Sequence, residues 1–278
     1  HSRRNIMVVQ HNLTAMNTNR QLGIVTGSLS KTTEKLSSGY KINRAADDAA
    51  GLAISEKMRS QIRGLNKAST NAEDGISLVQ TAEGALNEVH SILQRMNELA
   101  TQAANDTNTS NDRRQIKLEV DQLVSEIDRI QSTTQFNTMN LLDGSFTNKN
   151  LQVGSLSGQK IEISIKNMNA SSLGISFDSV KVSSFASAGA AMKAIQSALD
   201  LVSNQRANLG AIQNRLEHTI ANLDTTAENT QAAESRLRDT DMAAEMVEFS
   251  KNNILQQAGQ SMLAQANQAT QGVLSLLQ

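Results

Sequence analysis

The sequence has no cysteine, no proline and no tryptophan, and only 2% of its 278 residues are aromatic. The absence of cysteine excludes disulfides, cysteine-ligated zinc and thiol nucleophiles. Because proline is the strongest breaker of α-helices, its absence favours long uninterrupted helices. A compact core draws heavily on aromatic side chains, so this composition instead favours narrow seams between helices, built from Leu, Ile, Val, Met and Ala.

Charge is also scarce, since charged residues make up 19% of the chain and the formal net charge is -1. Nucleic-acid binding normally requires a basic stripe, and the balance of charges gives no case for one. No apolar run approaches the roughly 20 residues that span a bilayer. We therefore expect neither nucleic acid nor membrane insertion.

The N-terminal residues lack the basic-then-apolar pattern of a cleaved signal peptide. If the protein leaves the cell, we expect a route other than the general secretory signal. Residues 1–6 precede the first methionine, at position 7, and we expect them to be an artificial extension.

A long helical seam runs from Leu65 to Ala104 and organises the chain. Its apolar or small residues recur at alternating steps of three and four, which average about 3.5 and keep one side of a helix facing a neighbour. At ~1.5 Å per residue this helix should run for roughly 60 Å. The seam consists of Leu65, Ala68, Ala72, Ile76, Val79, Ala82, Leu86, Val89, Leu93, Met96, Ala100 and Ala103.

Further helices are predicted to supply its partners. A turn at 105–111, with Ser110 and Asn111 as helix N-caps, precedes a return helix that carries Ile116, Val120, Leu123, Ile127 and Ile130. Helical spacing resumes near Ala188 and continues to Ala227. Two terminal helices show seams of their own, with Leu22, Val25, Leu29 and Leu36 in the first and Ile254, Ala258, Met262, Ala266, Ala269, Val273 and Leu276 in the last.

The middle of the chain follows a different pattern. Residues 151–153 and 161–165 alternate apolar and polar around Gly154 and Gly158, which predicts a β-hairpin. Residues 180–185 are predicted to add another strand. The fold class is therefore mainly α, with long helices in coiled-coil packing, a small β-hairpin, and a terminal coiled coil made from the N- and C-terminal helices.

No set of residues predicts catalysis or a metal site. His11, His90 and His218 lack the close pairing of a helical zinc site. Asp47 and Asp48 are adjacent, so on a helix they would point in different directions rather than share a proton. There is no nucleophile elbow or phosphate loop. We expect a protein that is not an enzyme and has no cofactor.

Two stretches carry a specific resemblance. The residues LSSGYKINRAADDAAGLAISEKM at 36–58 and ILQQAGQSMLAQANQ at 254–268 closely resemble the terminal regions of bacterial flagellin, and the match extends in order over nearly the whole chain from Met7. One departure is Thr270, where many flagellins have proline. Only residues 167–188 join the hairpin to the returning helix, so the chain resembles a minimal flagellin without large outer domains.

The resemblance implies a filament subunit with two domains. Residues 7–43 and 239–278 would pair as a coiled coil in the inner filament, and residues 44–238 would form a helical rod. It implies a polymer of the chain with itself, an export chaperone on the C-terminal helix, the flagellar type III export apparatus and filament cap as further partners, and an extracellular flagellum as location. The inner coil would be formed by Leu22, Val25, Leu29, Leu36, Ile254, Met262, Val273, Leu274, Leu276 and Leu277.

The resemblance also implies a host receptor. In flagellins recognised by the flagellin-sensing Toll-like receptor, a helix segment matching residues 94–99 supplies contacts, which here fall on Gln94, Arg95, Leu99 and Glu119. Residues four apart share a helical face, so we expect Arg95 and Leu99 together on an outer surface. The same surface is expected to pack between neighbouring subunits. Asn97 stands where many recognised flagellins have a second arginine.

Two alternatives remain open at the level of sequence. A hook-filament junction protein would share the terminal helices, although the quoted motifs favour flagellin proper. A membrane-surface protein would use its amphipathic helices, although their polar faces carry Asn, Gln and Ser rather than abundant Lys or Arg.

Overall fold

The computed structural model describes residues 12–276, and the side chains of residues 12–269. The predicted residues His11 and Leu277, and the expected extension 1–6, lie outside that range. The fold is mainly α, as predicted. Its elements are α1 (Leu13–Ser38), α2 (Ala49–Ala103), α3 (Ser110–Thr133), β1 (Gln135–Phe136), β2 (Met139–Asn140), β3 (Lys149–Gln152), β4 (Lys160–Ile163), α4 (Phe185–Arg238) and α5 (Met242–Leu276).

The described chain forms two compact units. The terminal unit comprises the residues up to Arg59 together with those from Thr230 onward, and the central unit comprises Ser60–Asn229. The sequence predicted domain boundaries at 43/44 and 238/239. The contacts that hold the helices together differ between the two units.

The central unit is built on the predicted seam of α2. From Ala72 to Ala103, most seam residues are fully buried, and they share one apolar core with α3, the hairpin and α4. Complete burial of a side chain such as Leu86 contributes about 1.5 to 3 kcal/mol. The partners on the other two helices include Ile116, Val120, Val124, Ile127, Ile195, Val202, Leu209 and Leu216.

The predicted hairpin is present as the antiparallel pair β3 and β4, with Leu151 opposite Ile161. Ile161 and Ile163 are buried, whereas Glu162 between them is exposed, so the alternation seen in the sequence corresponds to an inner and an outer face. The hairpin loop comes very close to α2. A Cβ placed on Gly64 would lie 2.8 Å from the Cβ of Ser155 and 3.3 Å from its Cα.

Three local features differ from the sequence predictions. Helix α3 is capped by Thr109 rather than by Ser110 or Asn111, because Thr109 and Asp112 form a reciprocal capping box. A short strand pair, β1 and β2, was not predicted. The strand predicted at residues 180–185 is absent, because this segment belongs to neither strand pair and α4 begins at Phe185.

In the terminal unit, α1 and α5 run antiparallel. Asn12 donates to the carbonyl of Ala266 at 2.9 Å, and Lys35 pairs with Glu245 at 3.6 Å. On α1 the covered line has alternating three- and four-residue steps through Ala15, Thr18, Leu22, Val25, Leu29, Thr32 and Leu36. On α5 it runs through Glu245, Phe249, Asn252, Gln256, Gly259, Leu263 and Ala266.

The most buried positions of this terminal seam are polar, whereas its apolar members, such as Leu22 and Leu263, are only half-buried. Its most buried members are Thr32 and Asn252, each 4% exposed. Both are satisfied locally, since Thr32 donates to the carbonyl of Ser28 and Asn252 donates to Glu248. Polar side chains that bond within their own helix contribute little attraction between helices, so the pair gains far less from apolar burial than the central unit does.

A short backbone clasp closes the terminal unit beside this helix pair. The N–H of Lys41 donates to the carbonyl of Arg238 at 2.6 Å, and the N–H of Thr240 donates to that of Gly39 at 3.0 Å. The Arg238 guanidinium lies 4.6 Å from the ring centroid of Tyr40, a cation–π distance, and donates to Glu56 at 3.1 Å. The clasp thus joins the α1–α2 and α4–α5 connections.

Two glycines of α2 provide a test of the hairpin packing. Gly64→Ala should lower the free energy of unfolding by about 1 to 3 kcal/mol, because the added methyl group meets the backbone of Ser155. Gly84→Ala should raise it by about 0.5 to 1 kcal/mol, since the position is helical and has open space around it. Urea unfolding followed by circular dichroism measures both, and an equal change for the two variants would contradict the packing.

Candidate functional site

The predicted receptor surface lies on α2 and α3 within the central unit. Arg95 donates to Glu119 from Nε at 3.1 Å and from Nη2 at 2.9 Å, and to Glu98 from Nη1 at 3.1 Å. The Glu119 carboxylate, helped by Glu98, raises the pKa of Arg95 above its ordinary value. Gln94 is exposed beside it and contacts His90 at 3.1 Å. The structure therefore brings Arg95 and Glu119 together in one exposed ion pair, and Gln94, the neighbour of Arg95 in the chain, is exposed as well.

Leu99 does not belong to this surface. Its side chain is only 2% exposed and lies in the core of the central unit, so the prediction that it shares an outer face with Arg95 is wrong. The reason is that α2 packs against more than one neighbour. Leu93, Met96, Leu99 and Ala100 are all buried, which makes the covered stripe wider than a single seam. Arg95 remains outside this stripe, with half of its side chain exposed.

The terminal helices present a second candidate surface, which is apolar. Along α1, Leu13, Met16 and Ile24 are each more than half exposed. Along α5, the exposed apolar residues are Met242, Met246, Val247, Ile254, Leu255 and Met262. Isolated exposed apolar residues are normal, but a series of them on adjoining helices makes these helices a candidate for contact with another molecule.

Two residues predicted for the terminal seam therefore lie elsewhere. Ile254 is 66% exposed and Met262 is 58% exposed, so neither faces α1 within the chain, contrary to the prediction of a single apolar seam. The sequence prediction selected apolar residues for the seam, whereas the line of α5 that meets α1 includes Asn252, Gln256 and Gly259. Gly259 permits close approach, because a Cβ there would lie 3.1 Å from Leu22 Cδ1.

The remaining predicted coil residues have different positions. Leu22, Val25, Leu29 and Leu36 lie half-buried on the α1 line that meets α5. Val273, Leu274 and Leu276 lie within the span of α5, beyond the side chains that are described, and Leu277 is outside the described residues.

Asp47 and Asp48, weighed above as acid–base candidates, both bind backbone N–H groups. Asp48 accepts from the N–H of Gly51 at 2.9 Å, next to the start of α2. Asp47 accepts from the N–H of Arg44 at 3.0 Å, and this bond holds the pKa of Asp47 below its usual range. Both carboxylates therefore shape the loop between α1 and α2.

The described part of the chain contains neither a metal-binding cluster nor a membrane-spanning helix. Among those residues, His, Asp and Glu side chains form no group of three or more that could hold a metal ion. None of the described helices is both long and apolar enough to cross a bilayer.

Long helices joined by narrow seams, with a small hairpin and exposed apolar residues on the terminal helix pair, define a helical structural subunit. Comparison with known proteins identifies its family. The bacterial flagellin N-terminal helical region matches residues 9–147, and the bacterial flagellin C-terminal helical region matches residues 192–277.

Full-length relatives agree. The chain is 57% identical to a flagellin of Halalkalibacterium halodurans over 271 residues, covering 98% of this chain and 100% of the relative. It is 52% identical to a flagellar filament 31.3 kDa core protein of Treponema maltophilum and 50% identical to a flagellin of Bacillus subtilis, with the same coverage. The chain therefore belongs to the bacterial flagellin family, and it is a structural subunit of the flagellar filament.

Solved structures show the same fold. A crystal structure of Bacillus cereus flagellin matches with a TM-score of 0.50 and 31% identity, covering 59% of this chain and 94% of that one. A putative flagellar hook-associated protein from Vibrio parahaemolyticus matches with a TM-score of 0.58 and 15% identity, covering 69% of this chain and 100% of that one. At that identity, the second match indicates the fold alone.

Proposed function

We propose that the exposed apolar residues of α1 and α5 are the surfaces that neighbouring copies of the chain cover when the filament forms. The observation that carries this proposal is that the α1–α5 seam leaves a series of large apolar residues exposed outside it, of which Ile254 is 66% exposed. Burial of such side chains would contribute about 1.5 to 3 kcal/mol each. The predicted inner-coil residues then fall into two groups, with Leu22 facing α5 and Ile254 and Met262 facing other subunits.

The same exposed surface bears on export. A subunit with uncovered apolar residues on α5 needs a cytoplasmic partner that shields them, and we assign this role to an export chaperone. Gly23 and Gly27 lie within α1 and each weakens it by about 1 kcal/mol relative to alanine. A helix so weakly held suits passage in an unfolded state through the flagellar type III apparatus, followed by assembly beneath the filament cap in the extracellular flagellum.

A hook-filament junction protein remains the alternative within the same fold. The hook-associated match shares architecture at 15% identity, whereas the flagellin relatives match at 50% or more over the whole chain. Long filaments after seeding would distinguish flagellin from a junction protein.

Polymerisation provides the test of the apolar surface. Ile254→Ser with Met262→Ser should raise the critical concentration for seeded polymerisation at least tenfold, because two apolar side chains no longer become buried. Gln260→Ser with Gln265→Ser alters two exposed polar residues of the same helix and should leave it unchanged. Sedimentation and negative-stain microscopy measure the polymer, and circular dichroism checks helicity. Normal filament growth by the apolar double variant would contradict the proposal.

We also propose that the free subunit binds the flagellin-sensing Toll-like receptor through Gln94, Arg95 and Glu119. The exposed ion pair of Arg95 with Glu119 supports this, and Arg is well suited to anchor an interface. Leu99 is not part of this proposed contact, because its side chain is buried in the core. If a neighbouring subunit covers the same surface in the filament, the receptor can reach it only on the monomer.

Receptor binding provides a second test. Arg95→Ala should weaken binding of the monomer to the receptor ectodomain by roughly ten- to a hundredfold, the usual range for an interface anchor. Arg129→Ala is the matched control, because Arg129 makes a similar exposed pair with Glu126 on α3. Surface plasmon resonance gives both dissociation constants. If Arg95→Ala and the control bind equally well, the receptor surface lies elsewhere.

A further inference from the structure

A basic groove in the central unit lies outside both surfaces described above. It forms where the start of α3 meets the segment before α4, and its volume is about 460 Å³. It is lined by Ser110, Arg113, Arg114, Lys117, Lys181, Val182 and Ser183. The lining contains four basic side chains and no acidic one, although the chain as a whole carries a formal net charge of -1.

Two of the four cations are fixed in place by the fold. Arg113 donates from Nε to the carbonyl of Ala103 at 2.9 Å and pairs with Asp106 at 3.0 Å. Lys117 donates to the carbonyl of Phe177 at 3.2 Å and pairs with Asp121. These bonds give Arg113 and Lys117 a role in the fold, and they fix the position of both side chains along the groove.

The other two cations have no such role. The side chains of Arg114 and Lys181 are exposed, and neither side chain makes a hydrogen bond or an ion pair with any residue in the described part of the chain. Asp106 and Asp121 offset the charges of Arg113 and Lys117, so Arg114 and Lys181 carry the uncompensated positive charge of the groove. A bound anion would supply the opposite charge that these two side chains lack.

The groove also fits a particular class of anion. Arginine presents a planar fork of donors that matches sulfate and phosphate oxygens. A volume of about 460 Å³ lies in the range of sites that hold ligands of several groups. No aromatic residue lines the groove, so it lacks the stacking platform typical of single-stranded nucleic-acid sites.

We propose that this groove binds a polyanionic chain that carries sulfate or phosphate groups. Arg113 and Lys117 form the fixed wall, and Arg114 and Lys181 supply the free cations that close on the anion. The proposal does not depend on filament formation or on receptor binding, because it rests on the central unit of the free subunit.

Charge reversal tests the groove. In the full-length monomer, Arg114→Glu with Lys181→Glu should weaken binding of a sulfated hexasaccharide and of hexameric polyphosphate at least tenfold. Arg215→Glu with Lys67→Glu is the control, since both residues are exposed and helical, neither side chain has an ion-pair partner among residues 12–276, and the change in net charge is identical. Titration calorimetry at low salt, where electrostatic attraction is least screened, measures the affinities, and circular dichroism confirms that each variant is folded.

Each possible binding result either supports the proposed groove or overturns it. Weakening confined to the groove variant supports the proposal, and if only one polyanion is affected, the result also identifies sulfate or phosphate as the group that is bound. Equal weakening by the groove and control variants would show diffuse attraction and overturn it. Absence of binding to the wild-type chain would also overturn it, as would inorganic phosphate binding as tightly as the hexamers.

Discussion

The buried seam of α2 is the contact on which the central unit depends. Residues such as Leu86, Leu93 and Met96 are fully covered, and α3, the hairpin and α4 all pack against the same core. Because this seam repeats at about 3.5 residues, it can keep one helix in contact with its neighbours over many turns without the aromatic side chains that a compact core would use. The chain thus forms a stable framework from Leu, Ile, Val and Ala.

The terminal unit lacks a seam of fully buried apolar residues. Thr32 and Asn252 are the most buried residues of the covered line between α1 and α5, and the apolar residues of that line, such as Leu22, are only half-buried. Further apolar residues of both helices remain exposed outside the line. Hydrogen bonds such as that from Asn12 to the carbonyl of Ala266, together with the clasp between residues 39–41 and 238–240, position the two helices. A helix pair of this kind is specific in register but gains little free energy alone. Its apolar residues are available to other copies of a protein that belongs to a family of filament subunits.

Local patterns predicted much of this fold. In the α2 seam and in the hairpin, apolar residues recur with the period of the helix or the strand, and the residues at these positions are the ones that face the core. Predictions failed where a residue's position depends on contacts between distant parts of the chain, or where an apolar residue was assumed to be buried because it is apolar. Leu99 shares a helical face with Arg95 by spacing, yet α2 buries a wider stripe than one seam. Ile254 and Met262 are apolar, yet they lie outside the line of α5 that meets α1, and that line includes the polar residue Asn252. The β1–β2 turn uses Asn137 and Thr138 at positive φ without glycine, so it carries no strong sequence signal. The basic groove joins residues about 65 positions apart, which only the fold brings together.

Hydrogen exchange gives the most direct test of the central claim, that the central unit is stable by itself whereas the terminal helices depend on neighbouring subunits. In the free subunit, backbone amides of α1 and α5 should exchange orders of magnitude faster than those of residues 72–103, because exchange rates report local unfolding free energy. On polymerisation, the amides of α1 and α5 should become strongly protected. Equal protection of the terminal and central helices in the free subunit would contradict the account.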